Sequence, residues 1–401
     1  MTQLLSDIYY LPRAGRYANP LNSNDRLPLV YGALTDGTLG IWVAPCIDTV
    51  NYVYAFSGAE VMSVANGNSI NVYENNLLLD PSLYTFNAAN NYEGKGTIAT
   101  IDFTTPKTGS TITVRGKGKP TAAGGATLME DIVAIAYDFL TVENTFTSAQ
   151  FEATKKSYAS QIFSVQAYKA AGVIDQDAVI WDIITEMMAS FLGSAYRNGA
   201  GLLCLEIDDG TISQYGQAGI IRGSDAVLTE ARQRFINLIN QAPAHYSYNY
   251  AAGEFRSRTN EAAHADTISQ AVYGVREPVT PYQSYWCRDT ASVQAVQDII
   301  VSKFKNPVYE IEIDDITAKR IHMDVGDCFI YSADRLYDKN GDRLMNHYWK
   351  VLSARPDFQR GRVNFRALQT NYYMTTAFLA DGSFLADGSV LAGNNRDTAE
   401  Y

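Results

Sequence analysis

The chain has 401 residues, a formal net charge of −11 at pH 7 and a charged fraction of 19%, which is below the usual quarter of globular proteins. This composition argues against a disordered chain and against a coiled coil, and the negative charge disfavours specific binding of nucleic acid or anionic lipid. The length is typical of two or three domains.

Membrane insertion and secretion are not expected. The first residues, MTQLLSDIYYLPRAGRY, lack a basic region followed by an apolar one, and no apolar run approaches the roughly 18 residues that cross a bilayer. The four cysteines, Cys46, Cys204, Cys287 and Cys328, lie far apart and form no CxxC pair. This spacing predicts reduced thiols in a cytosol, with neither a zinc site nor a disulfide framework.

The first 118 residues divide into an arm and a β domain. Residues 1–26 contain two prolines and several asparagines without a hydrophobic period, which predicts an N-terminal arm that lies over another surface. In residues 27–118, short apolar or alternating runs such as GIWVA, NYVYAF and TIATIDF are separated by Asp-Gly, Asn-Gly and Gly-Ser turns. These runs predict β-strands.

Residues 119–205 are predicted to form a helical insertion domain, which follows a connector at residues 116–125 that is rich in glycine and small residues. Two apolar stripes at helical spacing predict two amphipathic helices. The stripes consist of Leu128, Ile132, Ile135, Ala136, Phe139 and Leu140, and of Ile180, Ile184, Met187, Met188, Phe191 and Leu192. Residues 148–171 are compatible with a third helix or with a strand, because SQIFSVQAY also alternates.

Residues 206–375 are predicted to form a β-barrel-like domain with one helix. The run YSYNYAAGEF predicts two strands joined at Ala-Ala-Gly, and Asp289 or Thr290 is expected to cap a helix that ends at Asn306-Pro307. Four later runs, VYEIEID, DCFIYSA, YWKVLSA and RVNFRAL, with a hairpin at Asn340-Gly341, are enough strands for a small barrel. The predicted fold class is therefore α+β, with several domains.

Residues 376–401 form a C-terminal tail in which the hexapeptide FLADGS at 378–383 is repeated at 384–389. One copy is a strand and a turn, too short to bury its Phe and Leu by itself. The segment is therefore predicted to order only against a partner, and a floppy terminus with an accidental duplication is the alternative.

Catalytic motifs are absent from the sequence. It contains no GxSxG elbow, HExxH, Walker loop or GxGxxG after a strand, and the four histidines, His245, His264, His322 and His347, have no metal-ligand spacing. The acid pairs Asp208/Asp209 and Asp314/Asp315 are better explained as solvated strand ends than as a glycosidase pair, because neighbours on a strand point to opposite faces. We expect neither enzymatic activity nor a cofactor or metal.

Three weaker signals have plainer explanations. Asp338, Asn340 and Asp342 alternate as in calcium loops, but the later Glu is missing and Asn-Gly already explains a tight hairpin. The run GKGKP lacks the order of a phosphate-binding loop and is expected to be a hydrated linker. Met187 and Met188 are expected in the core rather than in a ligand cavity.

Several segments between about residues 120 and 370 carry a resemblance to a known family. They are the helical TLMEDIVAIAYDFLT; DAVIWDIITEMMASFLGSAYRNGAGLLCLEID, in which a helix leads into a strand; SYNYAAGEFRSR followed by TISQAVYGVREP; QAVQDIIVSKFKNP leading into VYEIEI; and MDVGDCFIYSA with YWKVLSARPDF and VNFRALQ. Their order resembles the baseplate hub proteins of bacteriophage tail tips, a family shared by contractile tails, flexible tails and gene transfer agents. Residues 72–114 are similar to a small β module of tail and fibre proteins, and ADGS repeats occur in tail-tip proteins.

This resemblance implies a structural protein of the virion tail tip, assembled in the host cytoplasm. Hubs of this family are trimers whose two barrel-like, tail-tube-type domains per chain form a pseudo-sixfold ring that joins a sixfold tube to a threefold tip. The implied partners are two further copies of the chain, the tube proteins, a central fibre or tip protein, and a tape-measure protein in the lumen. The lysozyme or peptidase domains of some hubs are missing from this sequence, which argues against cell-wall cleavage.

The predicted docking site for the distal partner is the C-terminal repeat. Three copies of the tail at a threefold axis would stack its apolar residues, namely Phe378, Leu379, Phe384 and Leu385. The count of 27 Tyr against 16 Phe suits an interface-rich chain. The alternatives are a receptor- or glycan-binding tail protein, in which tyrosines stack on sugars, and a tail-associated hydrolase.

Overall fold

The computed structural model describes residue 21 and residues 27–373, except 93–95, 108, 145, 176–178, 209–216, 222–224, 235–237, 260, 317–319, 321, 324 and 338–342. These residues form a mixed α+β chain with several sheets, in agreement with the predicted class. The N-terminal arm apart from Leu21, and the C-terminal tail at 376–401, lie outside the described residues.

Strands dominate the first part of the chain, as predicted. They are β1 Leu29–Tyr31, β2 Ala33–Leu34, β3 Trp42–Val43, β4 Cys46–Asp48, β5 Val53–Ser57, β6 Asn71–Glu74, β7 Leu77–Leu78, β8 Tyr84–Asn91, β9 Thr97–Phe103 and β10 Ile112–Lys117, with 3-10 turns at Val64–Asn66 and Pro81–Leu83. One sheet has the order β2-β10-β6-β7 with β3 also paired to β10, and a second has the order β4-β5-β9-β8. Both contribute to one core, in which Trp42 meets Phe56 edge to face at 4.9 Å.

The prediction of a glycine-rich connector at residues 116–125 is wrong for its first residues, because Gly116 and Lys117 belong to β10. The amide of Gly118 donates to the carbonyl oxygen of Gly32 at 2.8 Å, and that of Lys119 donates to Val30 at 2.9 Å. A Cβ on Gly118 would lie 2.3 Å from the Val30 oxygen. Glycine is therefore required here for the close approach of two backbones, and not for the freedom of a linker.

Three helices and a hairpin follow. They are α1 Ile132–Thr141, α2 Ala153–Val165, α3 Ile180–Ala189, β12 Gly193–Arg197 and β13 Leu203–Ile207, with β11 Gly172–Ile174 before α3 and a 3-10 turn at Ser148–Gln150. The segment with two possible interpretations is helical. Asp131 caps α1 by accepting from the amide of Val133 at 2.9 Å, so Leu128 precedes the helix that it was predicted to begin.

One large core joins these helices to later parts of the chain. It contains Phe139, Met187 and Phe191 together with Trp286 and Val296. Met187 and Met188 are fully buried, which confirms the prediction that they are core residues. The domain boundaries remain predictions, and this core includes residues from both sides of residue 205.

The remaining elements confirm most of the predicted pattern. They are β14 Gln217–Ile221, β15 Ala226–Arg234, β16 Ala244–Asn249, β17 Glu254–Arg258, a 3-10 turn Glu261–His264, α4 Thr267–Tyr273, β18 Tyr282–Gln283, α5 Thr290–Phe304, β19 Val308–Asp315, β20 Cys328–Tyr337, β21 Arg343–Asp357 and β22 Arg362–Tyr373. β16 pairs with β17 as predicted, and Asp289 caps α5. The prediction of one helix was wrong, because α4 is a second one.

The predicted barrel is an open six-stranded sheet with the order β14-β20-β21-β22-β19-β15. Among the described strands no ladder joins β14 to β15. A flat sheet of six strands would separate its ends by about 24 Å, whereas the chain passes from Ile221 to Ala226 in five residues, which span at most about 18 Å. The sheet must therefore curve, and its concave face holds a core that includes Phe329, Trp349 and Phe365.

A polar junction fastens this curved sheet to the helical core. Lys155 on α2 lies 3.2 Å from Asp327 (Nζ to Oδ1) and donates to the hydroxyl of Tyr196 at 2.6 Å. Tyr196 in turn donates to Glu206 at 3.1 Å, and Lys350 on β21 lies 3.7 Å from Glu206. Burial raises the pKa of the Tyr196 hydroxyl, so this group stays protonated and can donate.

Candidate interaction surface

The predicted docking residues, Phe378, Leu379, Phe384 and Leu385, lie outside the described residues. Within the described part of the chain, residues 268–279 carry four exposed apolar side chains, which we call the apolar strip. Their exposed fractions are Ile268 75%, Val272 68%, Val275 61% and Val279 104%. Scattered exposed apolar residues are normal, but a group of this kind in twelve residues is typical of an interaction surface.

The strip is unusual because its helix packs against the protein by its polar side. Ile268 and Val272 lie one turn apart on α4, so they share a face, and that face is exposed. Ser269 is the buried residue of the helix. An ordinary surface helix shows the opposite arrangement, with apolar residues inward.

Asn240 holds this segment in place. Its side chain is fully buried, and its Nδ2 donates to Ser269 Oγ at 3.1 Å and to the carbonyl oxygen of Gly274 at 2.8 Å. Its Oδ1 accepts from the amide of Arg276 at 2.8 Å. Because a buried amide with all these partners has one favourable orientation, the strip is presented in a fixed conformation.

Asp266 supports the start of the same helix. It accepts from the amide of Ser269 at 2.8 Å and lies 2.9 Å from Lys305 (Oδ2 to Nζ). The amide and the lysine both favour the carboxylate, so the pKa of Asp266 lies below its ordinary value. The apolar strip therefore depends on polar anchors at both ends of α4.

The described members of the two acid pairs each have a partner of their own. Asp315 is fully buried and lies 3.4 Å from Arg320 (Oδ2 to Nη1), whereas Asp314 accepts from Asn364 on the other face of the strand at 2.9 Å. Asp208 pairs with Lys303. Asp209 and the predicted calcium-type loop at 338–342 lie outside the described residues.

Lys119 of the GKGKP run is engaged inside the protein. Its ammonium lies 2.7 Å from Asp138 Oδ2 and 2.6 Å from Glu143 Oε1. Tyr31 also donates to Asp138, at 2.9 Å. Two carboxylates already neutralise this lysine, so neither the phosphate-binding explanation nor the hydrated linker holds for it.

No three His, Cys, Asp or Glu side chains in the described ranges are placed to hold a metal ion together. His264 instead lies 2.7 Å from Asp298 (Nδ1 to Oδ1). In the same ranges, no helix has the length and apolar character needed to span a membrane.

A cleft of about 280 Å³ lies between β11, α3, β16 and the segment before α5. Its lining residues are Val173, Ile174, Asp175, Asp182, Ile183, Glu186, Tyr248, Tyr250, Tyr285 and Trp286. Sequence reasoning missed both the strip and the cleft. The signals in the sequence were the apolar residues of TISQAVYGV, which follow Asp266, and the tyrosine-rich YSYNY and SYW runs.

Neither a protein-family profile nor the sequence of a curated protein matches the chain. Among solved structures, its backbone is similar to one described as "The crystal structure of the tail protein from Neisseria meningitidis MC58". The two share 9% sequence identity, the match covers 76% of this chain and 97% of that one, and the TM-score is 0.31. A TM-score of 0.31 is too low to establish a shared fold.

Proposed function

We propose that the chain is a structural component of a phage tail, and specifically a trimeric baseplate hub at the tail tip. The observation that carries the proposal is the apolar strip, which is exposed in the single chain although polar contacts hold it rigidly. The strip lies in TISQAVYGVREP, one of the segments that resemble the hub family.

The occupant of the strip is a second copy of the same chain. Complete burial of an Ile or Val side chain contributes about 1.5 to 3 kcal/mol, so four of them supply a useful part of an obligate interface. Repetition of one contact around a threefold axis closes a ring. The curved six-stranded sheet supplies a wall for such a ring, in the position of one barrel-like domain.

Assembly, and not catalysis, is the proposed activity. The ring adapts the sixfold tail tube to a threefold tip and leaves a lumen for a tape-measure protein. Residues 376–401, through Phe378, Leu379, Phe384 and Leu385, dock the central fibre or tip protein. Zymography on peptidoglycan and capsule is expected to be blank, and a clearing zone lost on substitution of a single Asp or Glu would contradict this.

Replacement of the strip residues tests the trimer. Mass measurement of assembled tails should give three copies of the wild-type chain, and the double variant Ile268→Ser with Val272→Ser should fail to incorporate while its monomer stays folded. The matched control, Val50→Ser with Val64→Ser, removes two other exposed apolar side chains and should incorporate normally. Six copies or one copy per tail, or normal incorporation of the strip variant, would contradict the hub proposal.

Truncation after Thr376 tests the docking role separately. The ring should still form on the tube while the distal component is lost. Particles that retain the distal component and remain infectious would rule the role out and leave the trimer proposal standing.

A further inference from the structure

The cleft between α3 and β16 has a wall of tyrosines. The rings of Tyr248 and Tyr285 lie 4.8 Å apart at 64°, and those of Tyr248 and Tyr250 lie 5.1 Å apart at 89°. The Tyr250 hydroxyl donates to the carbonyl oxygen of Tyr285 at 3.2 Å. The three side chains are half-buried, so the wall is packed on one side and open to the cleft on the other.

The floor of the cleft is fixed by a close approach. A Cβ on Gly172 would lie 2.6 Å from the indole of Trp286 and 2.7 Å from the Tyr250 hydroxyl. The amide of Ala171 donates to the carbonyl oxygen of Trp286 at 2.8 Å. The cleft is therefore a preformed cavity, with Trp286 buried at its base.

The opposite side is acidic. Asp182 and Glu186 lie one turn apart on α3, and Asp175 follows β11. No Lys, Arg or His is among the described residues that line the cleft. The nearby Arg288 is used elsewhere, since its Nη2 lies 2.9 Å from Asp36 Oδ2 and its Nη1 donates to the carbonyl oxygen of Tyr248 at 2.7 Å.

We propose that this cleft binds an organic cation, namely a guanidinium or alkylammonium group with an apolar stem. Tyrosine rings attract a cation and pack against its stem, while the carboxylates of Asp182 and Glu186 supply the negative charge. A cavity of about 280 Å³ suits one arginine or lysine side chain or a small amine. A neutral sugar fits less well, because Trp286 is buried and presents no open ring face for stacking.

The charge of Glu186 makes binding depend on pH. Trp286 Nε1 donates to the carboxyl of Glu186 at 3.2 Å. Partial burial of this carboxyl raises the pKa of Glu186, an effect that the hydrogen bond from Trp286 opposes and that the charge of Asp175 reinforces. The other ionisable groups that face it are Asp182 on its own helix, and Tyr248, Tyr250 and Tyr285 on the wall, with Arg288 behind Tyr250. Protonation of Glu186 removes a negative charge, so cation affinity should fall as the pH falls through its raised pKa.

Titration calorimetry of the full chain with N-butylguanidinium and with its neutral analogue N-butylurea tests the site. The guanidinium should bind and the urea should not. The Glu186→Gln variant keeps an acceptor for Trp286 and should lose roughly tenfold in affinity, as expected for one contact of about 1.4 kcal/mol. Asp182→Asn, at an exposed position in the first turn of α3, should weaken binding in the same direction with only a small loss of thermal stability.

The matched control is Glu230→Gln, which removes one exposed carboxylate on the six-stranded sheet and should leave affinity unchanged. Equal binding of the two probes, or full affinity in both cleft variants, would overturn the proposal. Binding of a methyl glycoside without binding of the guanidinium would also overturn it and identify a sugar site. Spermidine and a short arginine-containing peptide distinguish the source of the cation: tighter binding of the peptide identifies a polypeptide partner, and tighter binding of spermidine a free amine.

Discussion

The guanidinium of Arg320 donates to the carbonyl oxygen of Ile220 at 2.5 Å and thereby joins the two ends of the six-stranded sheet, between which the described residues form no ladder. Its Nη2 also lies 3.0 Å from Asp225 Oδ2, and its Nη1 lies 3.4 Å from Asp315 Oδ2. Ile220 belongs to β14, and Asp315 ends β19, the partner of the other terminal strand. One buried side chain thus connects β14 to the β15 and β19 side of the sheet, and we call this contact region the seam.

Replacement of Arg320 by Met should open this seam. It would remove a cation that pairs with the fully buried Asp315, and removal of one partner of a buried ion pair costs about 3 to 5 kcal/mol. Hydrogen exchange of the amides in β14 and β15 should accelerate, and chemical denaturation should show the lost stability. The control is Arg360→Met, which breaks an exposed pair with Asp357 and should cost less than about 1 kcal/mol. An equal loss in both variants would show that Arg320 does not hold the seam.

Asn240→Ala should release the apolar strip. The substitution removes three side-chain hydrogen bonds, one to the buried Ser269 and two to the exposed residues Gly274 and Arg276, which is expected to cost about 2 to 3 kcal/mol. Exchange protection of residues 267–279 should fall before that of α5. The neighbouring Gln241→Ala, which removes only more exposed contacts, should cost less than about 1 kcal/mol. Unchanged protection in the Asn240 variant would mean that other contacts fix the strip.

The same strip should loosen in acid because of Asp266. Its pKa in the folded chain lies below the ordinary value of 3.8, since the Ser269 amide and Lys305 favour the charged form. A group with a lowered pKa stabilises the fold above its unfolded pKa, and this contribution is lost as the pH falls through the folded value. Protection of residues 267–279 should therefore decrease below about pH 4 in the wild type, and less so in Asp266→Asn.

Asp80→Asn is the comparison for this acid effect. Asp80 caps a turn in the β domain, and its amide contacts also lower its pKa. Its replacement should change stability near the same pH without changing the protection of residues 267–279. A pH response of the strip that persists fully in Asp266→Asn would assign the effect to another group.

Periodicity predicted most elements, because alternation and helical spacing follow directly from which faces are buried. Most residues of both helical stripes, the hairpin β16–β17 and the four late strands lie in the predicted elements, although Phe191 and Leu192 follow the end of α3 at Ala189. Helix ends were less accurate. Leu128 fits the stripe of α1 but precedes it, because Asp131 caps the helix and fixes its first residue.

The candidate sites were not predictable for a different reason. The apolar strip reverses the usual pattern, and this reversal depends on Asn240, which lies outside the periodic run that it anchors. The cleft brings together residues as distant as Asp175 and Trp286. Neither arrangement follows from local spacing. The contacts of Arg320 with Ile220 and Asp225 likewise join segments that are distant in the sequence.

Lys119→Met should be strongly destabilising. The ammonium of Lys119 lies between Asp138 and Glu143, and Tyr31 donates to Asp138, so its removal leaves two buried carboxylates facing each other. The expected cost is about 3 to 5 kcal/mol, measured as the free energy of unfolding in urea. Lys117→Met, two residues earlier and outside this ion-pair group, should cost less than about 1 kcal/mol. Addition of Asp138→Asn and Glu143→Gln to Lys119→Met should restore part of the loss, because neutral amides remove the repulsion. A cost near that of Lys117→Met, or no recovery in the triple variant, would contradict a structural role for this buried group.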